Sequence, residues 1–170
     1  GDMLLPPGTP GHILGTDDYG RDIFSRLLYG GRTSVLTGLS VAIVSAAVGV
    51  TLGCISGYFG GIIDNLIMRF TDIMMSFPFL IIAIAIMAAL GSSQKNIVIA
   101  LAIVSWPRFA RLTRGQVLSI KTQEYVESAN TAGYSDMRIM FNHILPNCMG
   151  PIIVQLTLAV GSAILSAASL

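Results

Sequence analysis

The charged residues of this chain divide it into long apolar stretches. No Asp, Glu, Lys or Arg occurs in three gaps of 31, 22 and 32 residues, which follow Arg32, Asp72 and Arg138. A helix needs about 20 predominantly apolar residues to cross the hydrocarbon core of a bilayer. The pattern therefore predicts membrane-spanning helices at about 33–57, 73–91 and 149–170.

A fourth span is predicted from a shorter signal. Residues 97–107 carry no charge, and three arginines follow within seven residues. We interpret 96–118 as a helix that crosses the membrane and emerges with these arginines at the membrane face. The polar stretch 119–147 after it predicts a loop that is longer than a simple connection needs.

The N-terminal part differs from the rest because it is turn-rich and carries charges of both signs. Asp17 or Asp18 is placed to cap a short amphipathic helix that runs to Tyr29 and ends at the following glycine pair. We predict two domains, an extracytoplasmic segment at 1–32 and a transmembrane domain at 33–170. Since the chain opens without a methionine and stops inside an apolar run, we expect it to be a piece of a longer protein.

Composition excludes several classes of protein. Charged residues make up 11% of the 170 residues, against roughly 25% in soluble domains. A disordered chain needs more charge, and a short soluble domain has too much surface to hide this much apolar matter. A net charge of +1 does not supply the basic face of a nucleic-acid binder. We therefore interpret the chain as an all-α, polytopic transmembrane helical bundle.

The basic residues weakly favour one orientation in the membrane. Six of them fall on the side that holds residues 108–147, and four fall on the other side. Cytoplasmic loops carry the excess of Lys and Arg, so we expect residues 108–147 to face the cytoplasm.

Small residues recur at four-residue steps in the first predicted span, at Ser45, Gly49, Gly53 and Gly57. Such a stripe lets a neighbouring helix approach closely, because lipid supplies no hydrophobic drive between helices. We therefore predict helix packing through Gly49, Gly53 and Gly57.

Among the acidic residues, Asp72 is the one that the sequence places closest to a predicted membrane segment. An ionisable residue at membrane depth is a functional candidate, but Arg69 lies one helical turn earlier, and a salt bridge between the two is the simpler interpretation. Ser76-Phe77-Pro78 follows, and its proline predicts a break between an approach segment and the true span.

Enzyme chemistry is not indicated. The GxxxxG frame at Gly15–Gly20 lacks the Lys and Ser/Thr of a phosphate-binding loop. The sequence contains no HExxH motif and no zinc-ligand spacing, and His12 and His143 are isolated. We therefore predict no catalytic residue, no metal site and no cofactor, and any ATP must be bound by another chain.

The polar loop has its own local signals. We expect a helix at 121–132 that ends at Gly133, and a second helix at 136–144 that Ser135 caps. The three residues Tyr125, Ala129 and Ala132 share one face of the first helix. The predicted product is a compact helix-turn-helix that serves as a docking surface.

The same loop carries a motif. Glu127-Ser128-Ala129, followed by Gly133 and then by Leu145-Pro146, resembles the EAA motif of ABC-importer permeases. Several further segments, spread over about residues 12–170, resemble the dipeptide/oligopeptide/nickel subfamily: Glu124-Tyr125-Val126, His143-Ile144-Leu145-Pro146-Asn147, Gly15–Asp22, Ser25-Arg26-Leu27, Tyr29-Gly30, Gly57–Gly61 and Ser76-Phe77-Pro78.

The resemblance implies the type I ABC importer permease (MetI-like) fold, with about six spans per subunit, of which four are present here and the first and last are missing. It implies a subunit that forms half of a translocation pathway for peptides or nickel in the inner membrane of a prokaryote. The implied partners are ATP-binding ABC subunits, a second permease subunit, an extracytoplasmic substrate-binding protein and the lipid bilayer. The residues implied to couple to the ATPase are Glu124, Tyr125, Glu127, Ser128, Ala129, Gly133, Leu145 and Pro146.

Two departures and two alternatives accompany this interpretation. Ser128 replaces the second alanine of the motif, and Ala167 stands where many relatives have Glu. A stand-alone secondary transporter or channel that uses Asp72 and Arg69 is one alternative, and a purely structural membrane subunit is the other.

Overall fold

The computed structural model describes residues 3–170, and this part of the chain consists of helices and turns without strands. The elements in chain order are α1 (Ile23–Phe59), α2 (Gly61–Ser76), α3 (Phe79–Leu90), α4 (Gln94–Lys121), α5 (Glu124–Thr131), α6 (Asp136–Ile139), a π-helical turn at Met140–Ile144, and α7 (Leu145–Ser169). The chain divides into two compact units, the first up to Thr37 and the second over Gly38–Leu170.

In the first unit, the Asp17 carboxylate organises the turns before α1. It accepts hydrogen bonds from the backbone N–H groups of Tyr19 and Arg21, both at 2.9 Å, and from the guanidinium groups of Arg21 at 2.9 Å and Arg26 at 2.5 Å. These bonds, above all the one from the Arg21 backbone, hold the pKa of Asp17 well below its usual range.

The start of α1 differs from the prediction. Asp22, rather than Asp17 or Asp18, caps the helix, because its carboxylate accepts the backbone N–H of Ser25 at 2.7 Å. The expected helix end at Gly30-Gly31 is wrong, since α1 continues to Phe59. Each glycine costs a helix only about 1 kcal/mol, so a glycine pair does not by itself end a long helix.

In the second unit, a sharp bend separates α2 from α3. The two helices meet at 90° across the break at Phe77-Pro78. The proline lacks a backbone N–H and disfavours helical geometry in the residue before it. Phe77 is accordingly extended, with φ −95° and ψ 146°. The predicted break at Ser76-Phe77-Pro78 is confirmed.

Two stretches of the described residues are long and apolar enough to cross a membrane. They are α1 and the run Asp136–Ser169, and the bent α2–α3 pair makes a third if it counts as one span. The span predicted at 96–118 lies within α4, and the four-span arrangement stays a prediction.

The close contact between α1 and α4 depends on the small-residue stripe. A Cβ atom added at Gly53 would lie 2.5 Å from the Ala110 carbonyl oxygen and 2.8 Å from the Thr113 Cβ. A Cβ atom added at Gly57 would lie 2.8 Å from the Val117 Cβ. The backbones of α1 and α4 therefore approach more closely than any residue with a side chain would allow.

Candidate functional site

The polar loop forms two short helices, α5 and α6, that are seated on the apolar core of the second unit. Val126 and Ala129 of α5 are buried, at 0% and 7% exposure. They pack in one cluster with Val117 and Ile120 of α4, and with residues of α1, α6 and α7. Burial of these two side chains fixes which face of α5 points outward. Of the three residues predicted to share one face, only Ala129 is buried, whereas Tyr125 is 39% exposed and Ala132 is exposed.

The chain reverses direction after α5 at Gly133. Its φ is +79°, a value that a residue with a Cβ adopts only at a cost of about 1–2 kcal/mol. The Gly133 N–H donates to the Asn130 carbonyl at 3.0 Å, and the Tyr134 N–H donates to the Ala129 carbonyl at 3.2 Å. This pair of bonds is the Schellman ending of a helix. Gly133 thus sets the direction in which the chain leaves α5.

The outward face of α5 is open and acidic. Glu124, Glu127, Ser128, Thr131 and Ala132 line a shallow surface depression. The Ser128 and Thr131 hydroxyls donate back to carbonyls of their own helix, at 2.8 and 3.0 Å. Within residues 3–170, the carboxylates of Glu124 and Glu127 have no hydrogen-bond or ion-pair partner. Both acids are therefore available to another molecule.

Three rings of the loop lie close together. The His143 ring in the π-helical turn stacks with the Tyr134 ring at 6.1 Å between centroids and lies 6.4 Å from the Tyr125 ring. The Arg138 guanidinium lies 4.7 Å from the centroid of the Tyr134 ring. The second predicted helix at 136–144 is thus α6 followed by this turn, rather than one continuous α-helix.

Leu145 and Pro146 occupy the first turn of α7. Leu145 packs against the buried cluster below the loop. Pro146 lies at the position of a helix where the missing N–H costs least. Together they connect the loop to the last apolar helix without a gap, since the Leu145 N–H donates to the Met140 carbonyl.

Polar bonds fasten the loop to α1 and α4. The Tyr58 hydroxyl donates to the Asp136 carboxylate at 2.8 Å, and the Lys121 ammonium donates to the Tyr58 carbonyl at 2.7 Å. Sequence reasoning assigned no role to these three residues. The only signal was that Tyr58 lies in the Gly57–Gly61 segment that resembles the subfamily.

The charges of α2 pair with α4. Arg114 donates to Asp64 at 2.5 and 2.6 Å, and the Ser56 hydroxyl donates to the same carboxylate at 2.5 Å. Arg111 donates to Asp72 at 2.5 Å. The interpretation that Asp72 pairs with Arg69 is therefore wrong, because the partner comes from the neighbouring helix.

The arrangement of the helices defines a fold class that is also found in a solved structure of another protein. A solved structure described as an amino acid ABC transporter with histidines matches 87% of this chain and 74% of its own chain, with a TM-score of 0.54 and 19% identity. At this identity the match concerns the fold alone, and it confirms the predicted all-α permease fold.

The chain belongs to the family of binding-protein-dependent transport system inner membrane components, whose sequence model matches residues 49–170. It is 46% identical to the dipeptide transport system permease protein DppC of Haemophilus influenzae over 99% of this chain and 59% of that protein. It is 50% identical to DppC of Alkalihalophilus pseudofirmus, over 94% and 52%. It is 44% identical to the glutathione transport system permease protein GsiD of Pectobacterium atrosepticum, over 99% and 56%. The chain thus spans little more than half the length of these relatives, and the resemblance drawn from the motifs is confirmed.

Proposed function

We propose that the chain is part of the permease subunit of an ATP-driven importer of small peptides in a bacterial inner membrane. The family membership supports the transport role, and the relatives above are named for dipeptides and glutathione. These names favour peptides over the nickel that the resemblance also allows. A second permease subunit, two ATP-binding subunits and an external binding protein would complete the transporter.

The outward face of α5 is the surface that we propose docks to the ATP-binding subunit. The unpaired Glu124 and Glu127 are the groups that would meet basic residues or backbone N–H groups of a partner. The single observation that carries this proposal is the conformation of Gly133, because its positive φ ends α5 and sets the direction in which the chain leaves this helix.

The bonds beneath the loop provide the mechanical link. Tyr58, Asp136 and Lys121 join the loop to α1 and α4, and Val126 and Ala129 are buried against the same helices. A force on α5 would therefore move the helices as a body rather than bend the loop. Such movement is the rigid-body switch that alternates access to the two sides of a membrane.

The test uses the complete transporter in proteoliposomes and measures ATP hydrolysed per peptide accumulated. Gly133→Asp should insert normally and raise this ratio at least about tenfold, because the altered turn misdirects the docking face. Gly115→Ala is the matched control, since a Cβ there meets nothing within 4 Å and the residue is helical.

Two outcomes contradict the proposal. Peptide accumulation by the permease without any ATP-binding subunit would exclude the ATP-driven role. An unchanged ratio in correctly inserted Gly133→Asp would exclude the coupling role of the loop.

A further inference from the structure

A cavity of about 700 Å³ opens among helices of the second unit. Its walls come from α1, α4 and α7, with Phe79 from the start of α3. The cavity is within the 300–1,000 Å³ range of small-molecule sites. Its lining is mainly apolar, and the polar members are Ser45, Ser105, Arg108, Gln155, Ser162 and Ser166. No acidic residue contributes to it, so the polar groups leave one uncompensated positive charge.

Arg108 supplies that charge from the middle of α4, fourteen residues after Gln94 and thirteen before Lys121. The three cations that follow it on α4 have partners: Arg111 bonds Asp72, Arg114 bonds Asp64, and Lys121 bonds a carbonyl. The Arg108 guanidinium lies 5.8 Å from the centroid of the Phe79 ring and has no acidic partner within residues 3–170. An unpaired guanidinium that lines a cavity is available to bind an anionic group.

Ser45 is a second, independent sign of a ligand. Its side chain is 0% exposed, and its hydroxyl has no hydrogen-bond partner in the described chain. Many other helical hydroxyls donate to the carbonyl four residues earlier, as Ser166 does at 2.8 Å. The side chains of Ser105, Gln155 and Ser162 also line the cavity and make no hydrogen bond within residues 3–170. The cavity thus presents several polar side chains without partners, and that of Ser45 is fully buried.

We propose that this cavity is a transport subsite in which Arg108 binds the C-terminal carboxylate of a permeating peptide. Guanidinium and carboxylate match in a bidentate pair, and the absence of acids from the lining disfavours cations. Ser45 and Gln155 then hydrogen-bond the peptide groups next to the carboxylate. The inference rests on the proposed function, since it assigns the group that the permease recognises.

The test compares a dipeptide with its C-terminal amide in the complete, ATP-driven transporter, with the same binding protein throughout. Arg108→Gln should lower uptake of the free acid by roughly tenfold and leave uptake of the amide unchanged. Arg108→Lys should fall between wild type and Arg108→Gln, because lysine keeps the charge without the bidentate geometry. Lys95→Gln is the control, since it removes one charge from the same helix outside the cavity.

Ser45→Ala gives a second readout that does not depend on the charge. The variant removes a buried hydroxyl without a partner, so its melting temperature should be equal to or above that of wild type. Its uptake of both peptides should nevertheless fall.

The outcomes separate this inference from the proposed function. A wild-type transporter that accumulates no peptide with ATP contradicts the proposed function itself. A working wild type whose Arg108→Gln variant keeps the same ratio of acid to amide uptake overturns the subsite alone. An equal loss of both substrates together with a lower melting temperature also overturns it, because Arg108 would then be structural.

Discussion

The Arg114 guanidinium and the Asp64 carboxylate form a two-bond ion pair between α4 and α2, at 2.5 and 2.6 Å. The two side chains are 32% and 15% exposed, so the pair is partly removed from solvent. Ser56 on α1 donates to the same carboxylate. One acidic group thus joins three helices near the end of α1.

Asp64→Asn should destabilise the permease by about 2 kcal/mol, because it leaves the Arg114 charge without its partner in a partly buried place. The measurement is thermal unfolding in detergent. The double variant Asp64→Asn with Arg114→Gln should recover part of the loss, since neither charge is then unpaired. Strictly additive effects of the two changes would show that the pair contributes nothing.

The neighbouring pair predicts a different result. The Asp72 and Arg111 side chains are 62% and 51% exposed, and exposed pairs contribute about 0–1 kcal/mol. Asp72→Asn should therefore leave ATP-driven peptide uptake within about twofold of wild type. A secondary transporter that uses Asp72 would instead lose uptake driven by an ion gradient, and that loss would favour the alternative interpretation.

The contact of α1 with α4 predicts a steric effect at Gly53. A Cβ there would meet the Ala110 carbonyl oxygen at 2.5 Å, and backbone atoms cannot rotate away as a side chain can. Gly53→Ala should cost about 1–3 kcal/mol of stability, measured by thermal unfolding. Gly161→Ala in α7 is the control, because nothing lies within 4 Å of the added carbon, and it should be neutral or stabilising. Equal stability of the two variants would contradict the close approach of α1 and α4.

Local signals predicted the parts of the fold that local chemistry controls. The proline of Ser76-Phe77-Pro78 indicated the break between α2 and α3, and the structure bends there by 90°. Gly133 indicated the end of the first loop helix, and its φ is positive. In both cases the backbone properties of one residue decide the conformation.

The wrong or missing predictions concern which residues pair with each other and where a long helix ends. Asp72 pairs with Arg111, which is 39 residues away, and Tyr58 pairs with Asp136, which is 78 residues away. A single sequence does not contain the helix packing that creates such pairs, so the nearby Arg69 was the natural but wrong partner. The predicted helix end at Gly30-Gly31 is wrong because the intrinsic cost of a glycine in a helix, about 1 kcal/mol, is too small to end a long helix by itself. The location of Arg108 at the membrane face stays a prediction, and the structure adds that this residue lies midway along α4 and lines a cavity.

The N-terminal unit predicts a pH dependence through Asp22. Its carboxylate accepts the Ser25 N–H at 2.7 Å and lies 3.0 Å from the His12 Nδ1. The hydrogen bonds from Ser25, and then the one with His12, lower the pKa of Asp22 from 3.8 to about 2. Because the folded pKa lies below the unfolded one, the stabilisation by Asp22 is present above pH 3.8 and is lost as the pH falls through about 2.

A titration of the Asp22 side-chain carboxyl carbon by NMR, in the detergent-solubilised permease, measures this directly. We expect a midpoint near 2 in the wild type and a higher midpoint in His12→Ala, because one bond to the charged form is removed. Asp18→Asn is the control, since Asp18 makes no bond to Asp22 in the structure, and it should leave the midpoint unchanged. A wild-type midpoint near 3.8, the ordinary value for this side chain, would mean that Asp22 does not cap α1 in solution, and the start of that helix would then have to lie elsewhere.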